Sequence, residues 1–256
     1  MSDTASLIPL SDLPLVRPGD DLAALLAAAL ERRIGKLLTP GDVLVVAQKV
    51  VSKAEGRYVD LARVEPRAET QRLASEIDKD PRLVQVILDE SRRVVRHRPG
   101  VLIVEHRLGF VMANAGIDRS NIDPAMGAEP VLLLPRDPDA FAASLREKLG
   151  AQFGAAPAVI VSDSFGRAWR RGTTGTALGS AGLPALIDMR GHADLYGREL
   201  RVTEIGFADE IAAAASLLMG QADEAIPAVL IRGLMWSAPA QPASELIRAA
   251  EEDLFR

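Results

Sequence analysis

The chain has no cysteine among its 256 residues, which excludes disulfides, thiolate nucleophiles and Cys-ligated zinc and agrees with a reducing compartment. Histidine is nearly as scarce. His97, His106 and His192 lack the i, i+4 helical spacing of a zinc pair. No apolar run approaches the roughly 20 residues needed to span a bilayer. The first twenty residues carry Asp3, Asp12 and Asp20 in place of a basic then apolar secretory layout. A cytoplasmic protein without a membrane segment is therefore expected. A net charge of -5 argues against a broad nucleic-acid footprint. Three site signatures are also missing: G-x-x-x-x-G-K-[ST], G-x-G-x-x-G and G-x-S-x-G. Standard phosphate loops and an acyl-serine elbow are demoted accordingly.

What the chain does contain is concentrated in residues 158–182, AVIVSDSFGRAWRRGTTGTALGSAG. The β-branched start fits a buried strand, so Asp163 and Ser164 are expected to emerge at its end, where ligands commonly sit in α/β sheets. Their oxygens suit a hard cation such as magnesium or manganese. Arg167, Arg170 and Arg171 offer guanidinium forks that match phosphate or carboxylate oxygens. Metal-suited oxygens, arginines and a Gly/Thr stretch together point to a phosphorylated ligand.

Strand and helix patterns alternate, which predicts a mixed α/β protein in one unit over residues 1–256, without a linker or repeat. Strands are expected at 5–9, 42–48, 101–106, 109–114, 131–135, 157–162, 199–206 and 227–232. Helices are expected at 21–34 with Asp20 as cap, at 66–78, 81–96 and 208–219 with Gly220 closing the last, and at about 242–255. Residues 101–114 read as a hairpin, so the sheet is not purely parallel.

Further segments carry chemistry at loop positions. Gln48, Ser52 and Lys53 follow a strand, Asp118 and Asn121 share a turn-rich loop, and residues 188–200 are dense in charge. Residues 218–227, LMGQADEAIP, form a helix-to-strand loop. Taken singly, Asp118 and Asn121 are turn formers, Asp163-Ser164 is a helix cap, Lys53 is a solvated lysine and Gly220 is a C-cap. Those readings do not explain why anion-suited and cation-suited groups gather in the same loops.

Five ordered motifs, LPLVRPGDD at 13–21, GDVLVV at 41–46 leading to VVSKAEGR at 50–57, AGIDRSN at 115–121, SDSFGRAWR at 162–170 and DLYGREL at 194–200, resemble the F420-0:gamma-glutamyl ligase family from end to end. The resemblance implies the unusual gamma-glutamyl ligase fold, an intertwined homodimer, and GTP-dependent addition of L-glutamate to coenzyme F420-0. It implies two divalent ions, Mg2+ or Mn2+, with K+ as a further candidate. Carried over by position, the nucleotide site falls on Leu13, Pro14, Leu15, Val16, Gln48, Lys53, Asn121 and the loop Met219, Gly220, Gln221, Ala222, Asp223, Glu224, Ala225 and Ile226. The metal site falls on Asp118, Asp163, Ser164 and Gln221, and Asp118, Asp163 and Lys53 become the catalytic candidates. The chain departs from the family pattern at Gln48, where relatives often have a small hydroxyl residue, and at Gln221, where some have an acid. An amide is the weaker ligand, and Asp223 or Glu224 are the alternatives. No C-terminal nitroreductase-like domain is expected. The rival readings are a metal-dependent phosphohydrolase and a non-catalytic deazaflavin- or nucleotide-binding protein.

Overall fold

The computed structural model describes residues 4–254. The chain runs β1 (Ser6–Leu10), α1 (Leu22–Ile34), β2 (Val43–Ala47), α2 (Gln48–Ala54), β3 (Tyr58–Asp60), α3 (Ala68–Glu76) and α4 (Pro81–Asp89). It continues with β4 (Ser91–Arg98), β5 (Val101–His106), β6 (Val111–Ala113), β7 (Pro130–Leu132) and α5 (Pro138–Phe153). The last elements are β8 (Ala158–Arg167), β9 (Arg170–Ala181), β10 (Ile187–Asp188), β11 (Glu204–Ile205), α6 (Phe207–Met219) and β12 (Ala228–Arg232). The mixed α/β class expected from the sequence is what the chain adopts.

A five-stranded sheet in the order β1-β12-β2-β8-β9 forms the centre, with β2 and β8 its parallel pair. Period-two alternation divides its side chains between two cores. Leu44, Val46, Val159 and Val161 face α1, α2 and α5. Val43, Val45, Ala158 and Ile160 face α6. Both faces are covered, which is why β2 and the start of β8 read as continuous apolar runs.

A smaller lobe packs α3 and α4 on the sheet β4-β5-β6 around Leu61, Ile77, Ile87, Leu102 and Val104. An ion cluster ties it to the main body. Arg57, just past α2, donates to Glu90 at 2.8 Å and to the Leu134 carbonyl at 2.9 Å. Arg107 also pairs with Glu90, and buried His106 lies 3.6 Å from it. Burial raises the Glu90 carboxyl, but His106 and the two arginines outweigh it and hold the group below its usual range.

Several local expectations need correction. The helix from Pro81 stops at Asp89 and the chain turns into β4, whose Val94, Arg96, His97 and Arg98 pair with β5; tertiary pairing overrides the helical pattern there. Asp21 caps α1 through the Ala24 N–H, while Asp20 accepts from the Arg17 N–H. Only Glu204–Ile205 of 199–206 is strand. Over 242–254 the chain makes two short 3-10 turns, Ala243–Leu246 and Ala250–Glu252, in place of a helix. Helix α5 and strand β9 were not expected. Among the described residues no helix is long and apolar enough to cross a membrane.

Candidate functional site

The last pair of the parallel ladder is Ala47 with Ser162, so Gln48 and Asp163 leave it side by side. Strand β2 ends there and α2 begins. Strand β8 does not end: Asp163 and Ser164 lie inside a hairpin that continues to Arg167 and returns through β9. The sheet opening belongs to β2, which corrects both the strand-end and the helix-cap readings of Asp163-Ser164.

Helix α2 sorts its polar side chains by i, i+4 spacing. Gln48 and Ser52 are buried, and the Ser52 hydroxyl donates to Gln48 Oε1 at 3.0 Å. Lys49 and Lys53 reach the 118–121 loop. Lys49 Nζ lies 2.7 Å from Asp118 Oδ2 and donates to Ser120 Oγ at 3.0 Å. Lys53 Nζ donates to the Asn121 carbonyl at 2.7 Å.

That loop is led in by left-handed backbone at Asn114, Ala115 and Gly116, with φ of 52°, 53° and 66°. A backbone bridge to Leu132, 2.9 Å in both directions, then fixes Asp118. Its Oδ1 accepts from the Ser120 N–H at 2.7 Å and Ser120 Oγ at 2.8 Å. Asp118 is thus a turn former, and it also faces Lys49 with its other oxygen. Asn121 is left-handed, with φ of 53°, and its Nδ2 donates to the Ala222 carbonyl at 2.8 Å. The chain thereby joins α2, the 118–121 loop and the 219–226 loop through direct contacts.

Electrostatics separate the two aspartates. Burial pushes the Asp163 carboxyl up to about 6, and the Asp118 charge adds to this while the Ser164 N–H, Lys49 and Gln48 oppose it. Burial also raises Asp118, but Lys49 and the Ser120 donors prevail and hold it below the usual range. Lys53 is lowered by burial and by Lys49, against the pull of Asp118 and Asp123. Two carboxylates of unlike proton affinity thus sit with two ammonium groups beside a sheet opening.

In the 219–226 loop, Met219 and Ile226 pack on the α6-side core, and the segment from Gln221 to Ala225 is exposed. The Pro227 carbonyl, accepting from the Ala47 N–H at 2.8 Å, anchors its end at the tip of β2. Glu224 turns onto its own loop, accepting from the Ala222 N–H at 2.8 Å, which leaves Asp223 as the carboxylate not engaged in that turn. A Cβ at Gly220 would clash with the Glu224 carboxylate. Leu13 and Val16 anchor the first expected segment in the main core, with Pro14 and Leu15 exposed. Arg167, Arg170 and Arg171 are exposed at the β8–β9 tip, where Arg167 donates to the Arg171 carbonyl at 3.3 Å. Lys49 is the residue the sequence reading passed over. Its spacing of four from Lys53 on a helix starting at Gln48 was the available signal.

Among the described residues no three His, Cys, Asp or Glu side chains converge. The carboxylates of Asp118 and Asp163, near enough to repel each other, nevertheless suit a hard cation of the magnesium type, which takes one or two carboxylates and completes its shell with water and substrate phosphate. The raised Asp163 carboxyl agrees with this, since a cation would offset both its burial and its repulsion by Asp118.

The family model described as F420-0:Gamma-glutamyl ligase matches residues 11–233. The chain is similar to the Coenzyme F420:L-glutamate ligase of Methanothermobacter thermautotrophicus, 46% identical over 253 residues that cover 98% of each chain. It is 46% identical over 246 residues to the protein of that name from Methanopyrus kandleri, covering 94% of this chain and 93% of that one. The Methanocaldococcus jannaschii protein of the same name is 43% identical over 216 residues, covering 84% and 85%.

Proposed function

The chain belongs to the F420-0:gamma-glutamyl ligase family, and from that premise we propose that it joins L-glutamate to coenzyme F420-0 as an amide, driven by GTP. The observation that carries this reading is the meeting of Asp118, Asp163, Lys49, Lys53 and Asn121 with the 219–226 loop at one sheet opening. A free carboxylate is a poor acyl donor because oxide would have to leave. In the proposed reaction the acceptor carboxylate oxygen attacks the γ-phosphorus of GTP and GDP departs. The glutamate amine then attacks the acyl carbon of the resulting acyl phosphate, losing a proton as inorganic phosphate leaves.

Asp118, Asp163 and Ser164 would hold one or two Mg2+ or Mn2+ ions, with Gln221 as a further oxygen donor. Such ions, when bound, neutralise the charge that develops in phosphoryl transfer. Lys49 and Lys53 supply compact positive charge beside the phosphates. The exposed 221–225 backbone and Asn121 contact the nucleotide, while Leu13 to Val16 complete its site. Arg167, Arg170 and Arg171 attract the anionic acceptor or glutamate. We also propose a cytoplasmic homodimer, with K+ as an accessory ion. Support for the dimer comes from Trp169, Leu195, Tyr196 and Val202, large apolar side chains that are each at least 85% exposed and that a second copy would cover.

The test is one incubation with F420-0, GTP, L-glutamate and manganese, read by mass spectrometry. The reading predicts product heavier by one or more glutamyl units, with GDP and phosphate released in step. Phosphate release indifferent to glutamate would instead favour a phosphohydrolase, and no turnover with intact nucleotide binding would favour a binding protein.

A further inference from the structure

Opposite the Val161–Ser162 step, one pair before Asp163, strand β9 contains one residue more than the ladder needs. Val161 pairs with Gly179 but Ser162 pairs with Ala177, so Leu178 is the extra residue of a β-bulge. The bulge reverses the facing of β9. A Cβ at Gly175 would clash with the Ala212 carbonyl of α6, whereas one at Gly179 would clash with Pro138 of α5 on the opposite face. In a regular strand positions 175 and 179, four apart, would face the same way; the extra residue Leu178 is what turns them to opposite faces. Strand β8 keeps strict alternation through this point, with Val161 in the α5-side core and the Ser162 hydroxyl 4.0 Å from Met219 Sδ of α6. Asp163 is therefore directed to the face that carries α2.

Two carboxylates hold the bulge from opposite sides. Asp209, in the first turn of α6, accepts from the Ala177 N–H at 2.8 Å. Asp139, in the first turn of α5, accepts from the Ser180 N–H at 2.8 Å, and from Ala243 and Ser244 at 2.8 and 3.2 Å. Both stand at helix N-termini, where negative charge is favoured. Bulges commonly re-aim a side chain beside an active site.

We propose that Asp209 is a positioning residue: by fixing the β9 bulge at Ala177, next to the Thr176 that pairs with Asp163, it holds the stretch of β8 that presents Asp163 to the metal. Asp139 holds the other flank of the bulge and ties the C-terminal turn to it. The inference rests on the metal reading given above. Its own content is that an acid touching neither substrate nor ion controls metal affinity through one backbone hydrogen bond.

The test titrates Mn2+ into the full chain with saturating GTP, following free Mn2+ by electron paramagnetic resonance. Asp209→Ala should raise the half-saturating Mn2+ concentration about 10-fold, the scale on which partners of metal ligands act. Asp209→Asn retains an oxygen acceptor and should return it to within about twofold of wild type. Ile87→Val, a core change in the small lobe, should lower Tm without moving the Mn2+ curve, which separates positioning from general loss of stability. If Asp209→Ala does not fold, Asp209→Glu displaces the same acceptor by one methylene and should shift the curve at least about threefold. An unmoved curve in a folded Asp209→Ala or Asp209→Glu overturns the inference, and so does failure of Asp209→Asn to restore it. Wild-type protein that binds GTP but no Mn2+ would overturn the metal reading itself.

Discussion

At the scale of single residues, Asp118 and Asp163 differ from ordinary turn and strand aspartates through the charges around them. Asp→Asn keeps size and most hydrogen bonding, so a purely structural role predicts a loss of about 1 kcal/mol or less at either position. The proposed role predicts that turnover falls by more than about 100-fold in each variant while the fold survives; steady-state rates across a manganese titration, with Tm alongside, decide between them. Asp163 also has a pH signature. Its folded carboxyl is raised to about 6, so between about pH 4 and 6 the folded state binds more protons there than the unfolded state. Its contribution to stability is therefore present at low pH and is lost as pH rises through 6. Asp118 and Glu90, both lowered, act in the opposite direction, so the readout is the Tm difference between metal-free wild type and Asp163→Asn. Wild type should lose ground to the variant from pH 4 to 6.5; a difference flat across that range would remove the perturbed carboxyl.

At the scale of elements, the sequence was legible where one local rule was enough and opaque where a partner decided. The parallel strands β2 and β8 stood out as β-branched runs because both of their faces are covered. Strand β9 did not, because its Gly/Thr composition reads as loop; its glycines are there because helix backbones lie against Gly175 and Gly179. Helix α5 had legible ends, since Asp137 caps the Ala140 N–H, Pro138 occupies the first turn and Gly154 is left-handed at the C-terminus. A mixed apolar and charged pattern obscured it. The site was legible as residue types, since each motif supplied its own polar groups. Its assembly was not, because contacts such as Asn121 with Ala222 span 101 positions. This account of β9 predicts that Gly179→Ala lowers stability by about 1–3 kcal/mol through overpacking against Pro138, while Gly166→Ala, with nothing within 4 Å of its Cβ, stays within about 0.5 kcal/mol. Equal urea midpoints for the two variants would contradict it.

At the scale of the whole molecule, the sheet opening and the small lobe work together, and Trp169 stands exposed among arginines at the β8–β9 tip. The ion cluster of Arg57, Glu90, Arg107 and His106 holds the lobe that supplies Asp118, while β8 supplies Asp163. If Trp169 and the apolar side chains of 195–202 bury against a second copy, sedimentation equilibrium should return twice the chain mass of 27.4 kDa at micromolar concentration. Trp169→Asp should then shift the distribution toward monomer. A compact wild-type monomer would set the dimer aside without touching the chemistry.

The chemistry has a more direct test. With F420-0 labelled by 18O in the carboxylate that accepts glutamate, an acyl phosphate carries one labelled oxygen out with phosphorus when the amine displaces it. The account predicts one 18O atom in each inorganic phosphate released, the other retained in the new amide, and no release without glutamate. Unlabelled phosphate accompanying glutamyl product, or labelled acceptor recovered unchanged while GTP is consumed, would contradict it.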